Sequence, residues 1–216
     1  MSGGLVHEGI GDWGLEASFQ IMGDRLASQI AFLNEVERLK VVCRRNRTID
    51  PSRWESSAEH SWHVALMALL LSEHADVDSL DLFKVVRILL VHDLVEIYAG
   101  DTWLYDLEAG ETQGEEEAFS ASRLFALLPE DQAAEFESLW QEFEGRSSPE
   151  AKYAAAIDGL QPLINHLLTG DAEVDQERPS EADVLARKRH IGESSEALWQ
   201  LAQSVIEAST EKGLYR

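Results

Sequence analysis

Leu89-Leu90-Val91-His92-Asp93-Leu94-Val95-Glu96-Ile97-Tyr98-Ala99-Gly100-Asp101 carries an apolar helical run straight into a group of side chains that bind metals and move protons. Three apolar residues lead into the adjacent His92 and Asp93, a carboxylate follows at Glu96, and a Gly-Asp pair closes the segment. On a helix His92 and Glu96 stand four apart and Asp93 and Glu96 three apart, so the three share roughly one face. Burying them without partners is costly, so a metal ion or a hydrogen-bond network must compensate. Upstream, Lys84, Val85, Ile88 and Leu89 give this helix a start near Asp81, and Gly100 is a natural stop after a continuation or bend toward Tyr98.

Working outward, apolar positions from about Leu15 to Val42, including Ile30, Leu33, Val36 and Leu39, predict an amphipathic first helix. It runs into Val42-Cys43-Arg44-Arg45-Asn46-Arg47-Thr48-Ile49-Asp50-Pro51-Ser52-Arg53, read as a loop and the most basic segment of an acidic chain. Cations at a helix end complement its dipole, which accounts for Arg44 or Arg45 but poorly for Arg53 beyond Pro51. Ser56-Ser57-Ala58-Glu59 fits a capping box opening a second helix that carries His60 and His63. Glu111 to Leu128 reads as a helix with a solvated acidic start, Pro129 separates it from another with Phe136, Leu139, Trp140 and Phe143, and Ser148-Pro149 starts a third. In that last one, Ala151 to Ile164, small residues allow close packing, so Asp158 is expected in an interior surface and in need of a partner. Gly170 to Pro179 is a loop, and one or two closing helices follow, with Val184, Leu185, Ile191, Leu198, Leu201 and Ile206. No strand-like alternation, repeat or low-complexity segment is evident, so the expected fold is an all-α helical bundle in one domain over residues 1–216. Its motif core spans about 32–165, with C-terminal helices at 180–213 packing on it.

The net charge of −22, from 40 acidic and 18 basic residues, argues against long nucleic acid lying on the general surface. A small phosphorylated molecule remains compatible if a cation and a local Arg cluster hold it. No apolar run approaches a membrane span, and Met1-Ser2-Gly3-Gly4 lacks the start of a secretory signal, so a cytoplasmic protein without membrane association is expected. Cys43, the single cysteine, leaves no internal disulfide and reads as a packing residue. His63 is read as lying behind the site or in a helix interface, His166 as packing at the end of the Asp158 helix, His74 as solvated, and His7 and His190 as surface features.

His60, the pair His92-Asp93, and Asp158 thus stand out as ligands offered by three helices. Imidazole and carboxylate without thiolate suit one divalent ion, Mn, Fe, Co, Ni or Zn, with Mg less favoured because two imidazoles are present. Open positions on such an ion take water and a phosphate oxygen. Glu96 is then placed to activate or orient water, and Asp101 to serve as a second acid or base.

In this order, on a helical background, the residues resemble the HD-domain metal-dependent phosphohydrolases. Glu59-His60-Ser61 behind a loop with Arg53 and Glu55, together with His92-Asp93-x-x-Glu96-x-x-x-Gly100-Asp101, is similar to the branch of bacterial 5′-deoxynucleotidases and HD-domain-containing protein 2, from about Phe32 to beyond Pro162. The resemblance implies that His60, His92, Asp93 and Asp158 hold the ion and that Glu96 and Asp101 are the catalytic acid/base positions. Arg44 falls where the family contacts phosphate, with Arg53 in the loop before the Glu59-His60 motif, and both are carried over as substrate-binding residues. The family reaction is hydrolysis of nucleoside 5′-monophosphates to nucleoside and phosphate, commonly by homodimers. An aromatic residue follows the phosphate-contacting Arg in that branch, whereas Arg45 stands here, with Trp54 nearby, which leaves the sugar preference open. Two alternatives are a nonhydrolytic nucleotide-binding regulatory module, and a phosphohydrolase of another small metabolite; a phosphodiesterase is disfavoured by the lack of further spaced histidines.

Overall fold

The computed structural model describes residues 23–100, 110–172 and 178–216. Helix α1 covers Asp24–Val36, shorter than the expected run from Leu15, whose first part lies outside the described residues. A tight 3-10 turn, Glu37–Val41, buries Leu39 and leads not into a loop but into an antiparallel ribbon. Its strands are β1, Cys43–Arg47, and β2, Trp54–Ser56, with Cys43 opposite Ser56 and Arg47 opposite Trp54. The ribbon was invisible to periodicity because its residues are charged. It is held by long-range bonds instead: Asn165 donates to the Arg47 carbonyl at 3.0 Å and Asn46 to the Pro162 carbonyl at 3.4 Å. Strand alternation still acts, turning Arg44 inward and Arg45 to solvent. Cys43 is exposed, not packed as expected, because it lies on the outer side of this ribbon.

The capping box forms as read. The Ser56 hydroxyl accepts from Glu59 N, the Glu59 carboxylate accepts from Ser56 N, and α2 follows over Ser57–Leu71. Asp81 caps α3, Leu82–Val91, by accepting from Lys84 N at 3.1 Å. The α geometry then breaks at the motif itself: His92–Val95 is a 3-10 turn, followed by a single-turn α4, Glu96–Ala99, and Gly100 at φ 78°. Beyond it come α5, Gly110–Phe125; α6, Glu130–Gly145; and α7, Pro149–Thr169, capped by the Ser148 hydroxyl. The C-terminal part is α8, Glu181–Lys188, a 3-10 turn over Arg189–Glu193, and α9, Glu196–Glu211.

Helix α7 is the axis of the core. Ala151, Tyr153 to Ile157, and Gly159 to Gln161 are buried, and the helix packs against α2, α3, α6 and α9. Its alanines let neighbours approach closely, and Tyr153 donates to the Ala68 carbonyl of α2 at 3.0 Å. Pro162 sits inside the helix and has no N–H to give the Asp158 carbonyl, which frees the backbone at the residue expected to bind metal. Phe32, Phe125 and Phe136 tie α1, α5 and α6 together through edge contacts at 5.5 and 6.1 Å. No described helix is long and apolar enough to cross a membrane.

Candidate metal centre

Three elements deliver the four expected ligands to one point. Capping of α2 fixes His60 in its first turn, the 3-10 turn after α3 presents His92 and Asp93 together, and α7 supplies Asp158. His60, His92 and Asp93 are buried, with one donor atom of each within 4.8 Å of the others. Asp158 Oδ1 lies 2.9 Å from His60 Nε2 and 3.6 Å from His92 Nε2, while Asp93 Oδ1 is 3.0 Å from His92 Nε2. Side-chain exposure is 0% for His60, 2% for His92, 11% for Asp93 and 29% for Asp158, so the cluster opens outward beside Asp158.

The outer bonds of the histidines fix which nitrogen faces the cluster. His92 Nδ1 donates to the Leu89 carbonyl at 2.7 Å, which turns Nε2 toward the cluster, where it makes no hydrogen bond. Gln161 donates through Nε2 to Glu55 Oε1 at 3.0 Å, so its Oε1 must accept from His60 Nδ1, also at 3.0 Å. His60 Nε2 is thereby turned inward, where in the absence of an ion it donates to Asp158 Oδ1 at 2.9 Å. Ring nitrogens and carboxylates converging on one buried point, each imidazole held from behind by a carbonyl, suit a divalent cation, whose charge would take the place of the ring protons. The Phe143 ring, 4.8 Å from the His92 ring, packs the imidazole in place.

Electrostatics favour the same occupant. Burial pulls the His92 imidazole down, but the carboxylates of Asp93 and Asp158 outweigh it and raise it to about 9. Burial pushes Asp158 up, yet His60 and His92 hold it well below the usual carboxylate range. The cluster therefore favours positive charge among its donors. Burial also raises Glu55, although His60 and Arg44 oppose the shift.

Arg44 reaches in from β1. Its Nη1 donates to Asp93 Oδ2 at 2.9 Å and lies 3.9 Å from Glu96 Oε1, and its Nε lies 3.9 Å from Glu55 Oε2. Glu96 is therefore beside the ligand cluster, as its spacing implied, although a 3-10 turn and not a continuous helix brings it there. Arg53 is not brought to the cluster. It forms a bidentate pair with Glu59 at 2.6 and 2.8 Å on the surface, where it braces the start of α2. Asp101, together with Trp103 and Tyr105, lies outside the described residues. Trp54 is exposed at the end of β2, with the Arg47 guanidinium 4.9 Å from its ring centre.

Gln161 is the participant that the sequence reading passed over. Its signal was its position three residues after Asp158, which on a helix shares that residue's face. His63 contacts Gln161 Nε2 through Nδ1 at 3.3 Å and so lies behind the cluster, as expected. His166 packs edge-on against Tyr215 at 5.3 Å, and His74 is exposed. His190, expected at the surface, is half-buried against α7, its Nε2 3.2 Å from the Ala155 carbonyl.

A family model described as the HD domain matches residues 36–199, well over half of the chain. The chain belongs to the HD-domain family. Among solved structures, a predicted metal-dependent phosphohydrolase from Magnetospirillum magnetotacticum superposes with a TM-score of 0.81 at 40% identity, covering 89% of this chain and 99% of its own. The human protein named 5′-deoxynucleotidase HDDC2 is 32% identical over 149 residues, which is 68% of this chain and 71% of the relative. The Pyrococcus horikoshii protein PH0347, 23% identical with a TM-score of 0.60, shares the fold.

Proposed function

We propose that this HD domain is a metal-dependent phosphomonoesterase that hydrolyses nucleoside 5′-monophosphates, deoxyribonucleotides among them, to nucleoside and phosphate. The observation that carries the reading is the convergence of His60, His92, Asp93 and Asp158, with Glu96 and Arg44 beside them. The similarity to a protein named as a 5′-deoxynucleotidase supports the substrate class. In this reading the four residues hold one divalent ion, Mn, Co, Fe, Ni or Zn in preference to Mg because of the imidazole pair. Such an ion supplies Lewis acidity toward phosphorus and lowers the pKa of water. Glu96 takes the proton from the attacking water, and Asp101 is assigned the second acid/base position by the resemblance. Arg44, anchored by Asp93, presents cationic N–H groups to the phosphoryl oxygens. The −22 charge confines anion binding to such a local site and disfavours long nucleic acid.

The same reading makes the chain one HD-type domain and a homodimer in the cytoplasm. A single cysteine suits a reducing compartment. Trp62, Leu66, Leu69 and Leu70 lie on one stripe of α2 and are 64%, 41%, 50% and 67% exposed, an apolar face suited to a second copy. Trp62→Glu is expected to convert dimer to monomer by light scattering, and an unchanged mass would remove α2 from the interface.

The test of activity is phosphate release from ribo- and deoxyribonucleoside 5′-monophosphates by chelated protein reloaded separately with Mn, Co, Ni, Mg and Zn. Turnover that requires both the ion and Glu96, judged with Glu96→Ala, is expected. Metal binding with no turnover in any combination would point instead to a nonhydrolytic nucleotide-binding module or to another small phosphorylated metabolite.

A further inference from the structure

The charged run Arg187-Lys188-Arg189-His190 reads as solvated surface, yet its members part company in the structure. Arg187, Arg189 and His190 line an outer cleft of about 590 Å³ together with Arg146. Lys188 is not in that wall. It is buried, with 8% of its surface exposed, at the last residue of α8. Among the described residues its ammonium makes no hydrogen bond and no ion pair. Its stem is packed while the ammonium keeps a remnant of solvent contact, which leaves a cation with no partner in the protein open to an anionic ligand.

The backbone places it. The 3-10 turn that follows Lys188 lies against α7 on both sides of Asp158: His190 Nε2 is 3.2 Å from the Ala155 carbonyl, and a Cβ on Gly159 would come within 2.8 Å of the same nitrogen. The absence of a side chain at Gly159 lets the turn settle there, next to the most exposed of the four expected ligands. Burial lowers the Lys188 ammonium, while the Asp158 carboxylate attracts it and Arg44 and Arg146 repel it, so its charge is felt at the cluster. Arg44 enters from β1 through Asp93, and Lys188 comes from the end of α8, where the following turn flanks Asp158.

We infer that Lys188 binds the phosphoryl group at the mouth of the cluster, its unpaired ammonium carried by the end of α8 whose following turn flanks Asp158, and acting together with Arg44. The dianion of a 5′-monophosphate, and the phosphate released from it, supply the acceptor that the ammonium lacks in the protein. This assignment rests on the proposed function for its substrate, but not for its ligand chemistry.

The experiment compares wild-type protein, Lys188→Met and the neighbouring control Arg189→Met, all loaded with the same ion. Inorganic phosphate binding is measured by calorimetry, thermal unfolding is followed without ligand, and KM and kcat are obtained for a deoxynucleoside 5′-monophosphate. Lys188→Met is expected to weaken phosphate binding and raise KM by about 10- to 100-fold, the range of a hydrogen bond to a charged group. Its melting temperature should be no lower than that of the wild type, because methionine keeps the packed stem and removes an unpaired charge. Arg189→Met, which removes an exposed charge next door, should change phosphate binding by less than about twofold. Phosphate binding that survives Lys188→Met, falls equally in Arg189→Met, or is absent from the wild type overturns the inference. If Lys188→Met does not fold, Lys188→Gln is judged by the same phosphate measurement. Wild-type protein that binds phosphate through Lys188 but turns over no 5′-monophosphate would refute the proposed activity and leave this assignment standing.

Discussion

Replacing Gln161 with methionine tests whether the cluster is organised from behind. The side chain keeps its length and most of its volume but loses the acceptor for His60 Nδ1 and the donor for Glu55 Oε1, both bonds at 3.0 Å between buried groups. Each group left unpaired costs about 1–3 kcal/mol, so for the two together the fold should lose about 2–6 kcal/mol. The effect on the site is separate. Without an acceptor behind it, the His60 ring is free to change tautomer or rotate, and loss of such an outer partner weakens metal binding by about 10- to 100-fold. Competition between the protein and a chromophoric chelator for Co²⁺ gives the affinity, and denaturant unfolding of the unloaded protein gives the stability. Both should fall. A variant that loses stability but binds Co²⁺ within about twofold of the wild type would show that Gln161 only fills space, and the orientation of His60 would need another cause.

Arg53→Ala should leave phosphate release within about twofold of the wild type, since its guanidinium is held by Glu59 on the surface; a steady-state assay with KM and kcat checks this. Arg44→Ala, by contrast, should cut kcat/KM by about 100-fold or more, because it leaves Asp93 without its charged partner and removes a cation from the phosphoryl site. The Arg53 guanidinium, with the Ser56 backbone N–H, lowers Glu59 to about 2, so its contribution to stability is fully present above the ordinary carboxylate pKa of about 4.5 and is lost as the pH falls through about 2. Acid unfolding compared between wild type and Glu59→Gln should show the two curves converging in that window, and curves that stay parallel down to pH 2 would refute the pairing. Gly159→Ala should destabilise the chain by about 1–3 kcal/mol despite the better helix former, because its Cβ would meet His190 Nε2 at 2.8 Å, measured by chemical denaturation.

The helices were legible because their signals are local. The Ser56 to Glu59 box, Asp81, Ser148-Pro149 and Gly100 each mark an element end through bonds made within a few residues. The meeting of His60, His92, Asp93 and Asp158 was legible through the motif, not through periodicity, which placed them on three helices without showing that those helices converge. What stayed hidden depends on contacts made at a distance. The β1–β2 ribbon has no apolar alternation and is held by Asn165 and Asn46 against residues more than a hundred positions away. Arg53 looked like a free cation in a basic loop because sequence does not show that Glu59, six residues on, already holds it. Lys188 looked like one more solvated charge because its burial is decided by Gly159, on another helix, leaving room for the following turn.

The acidity of the chain and its candidate anion site are compatible because the two act over different ranges. At physiological ionic strength exposed charges are screened beyond about 8 Å, so most of the −22 is not felt at a buried cluster. What is felt there is the local inventory: the carboxylates of Asp93, Asp158, Glu55 and Glu96 face Arg44, which bonds Asp93, and Lys188, whose charge Asp158 attracts. A divalent ion offsets the remaining carboxylate charge and offers a phosphate dianion a point of attachment inside the screened region. A polymer of phosphates gains the same contact once and meets the acidic exterior at every further residue. The distribution of charge, more than its total, therefore selects a monophosphate over a nucleic acid.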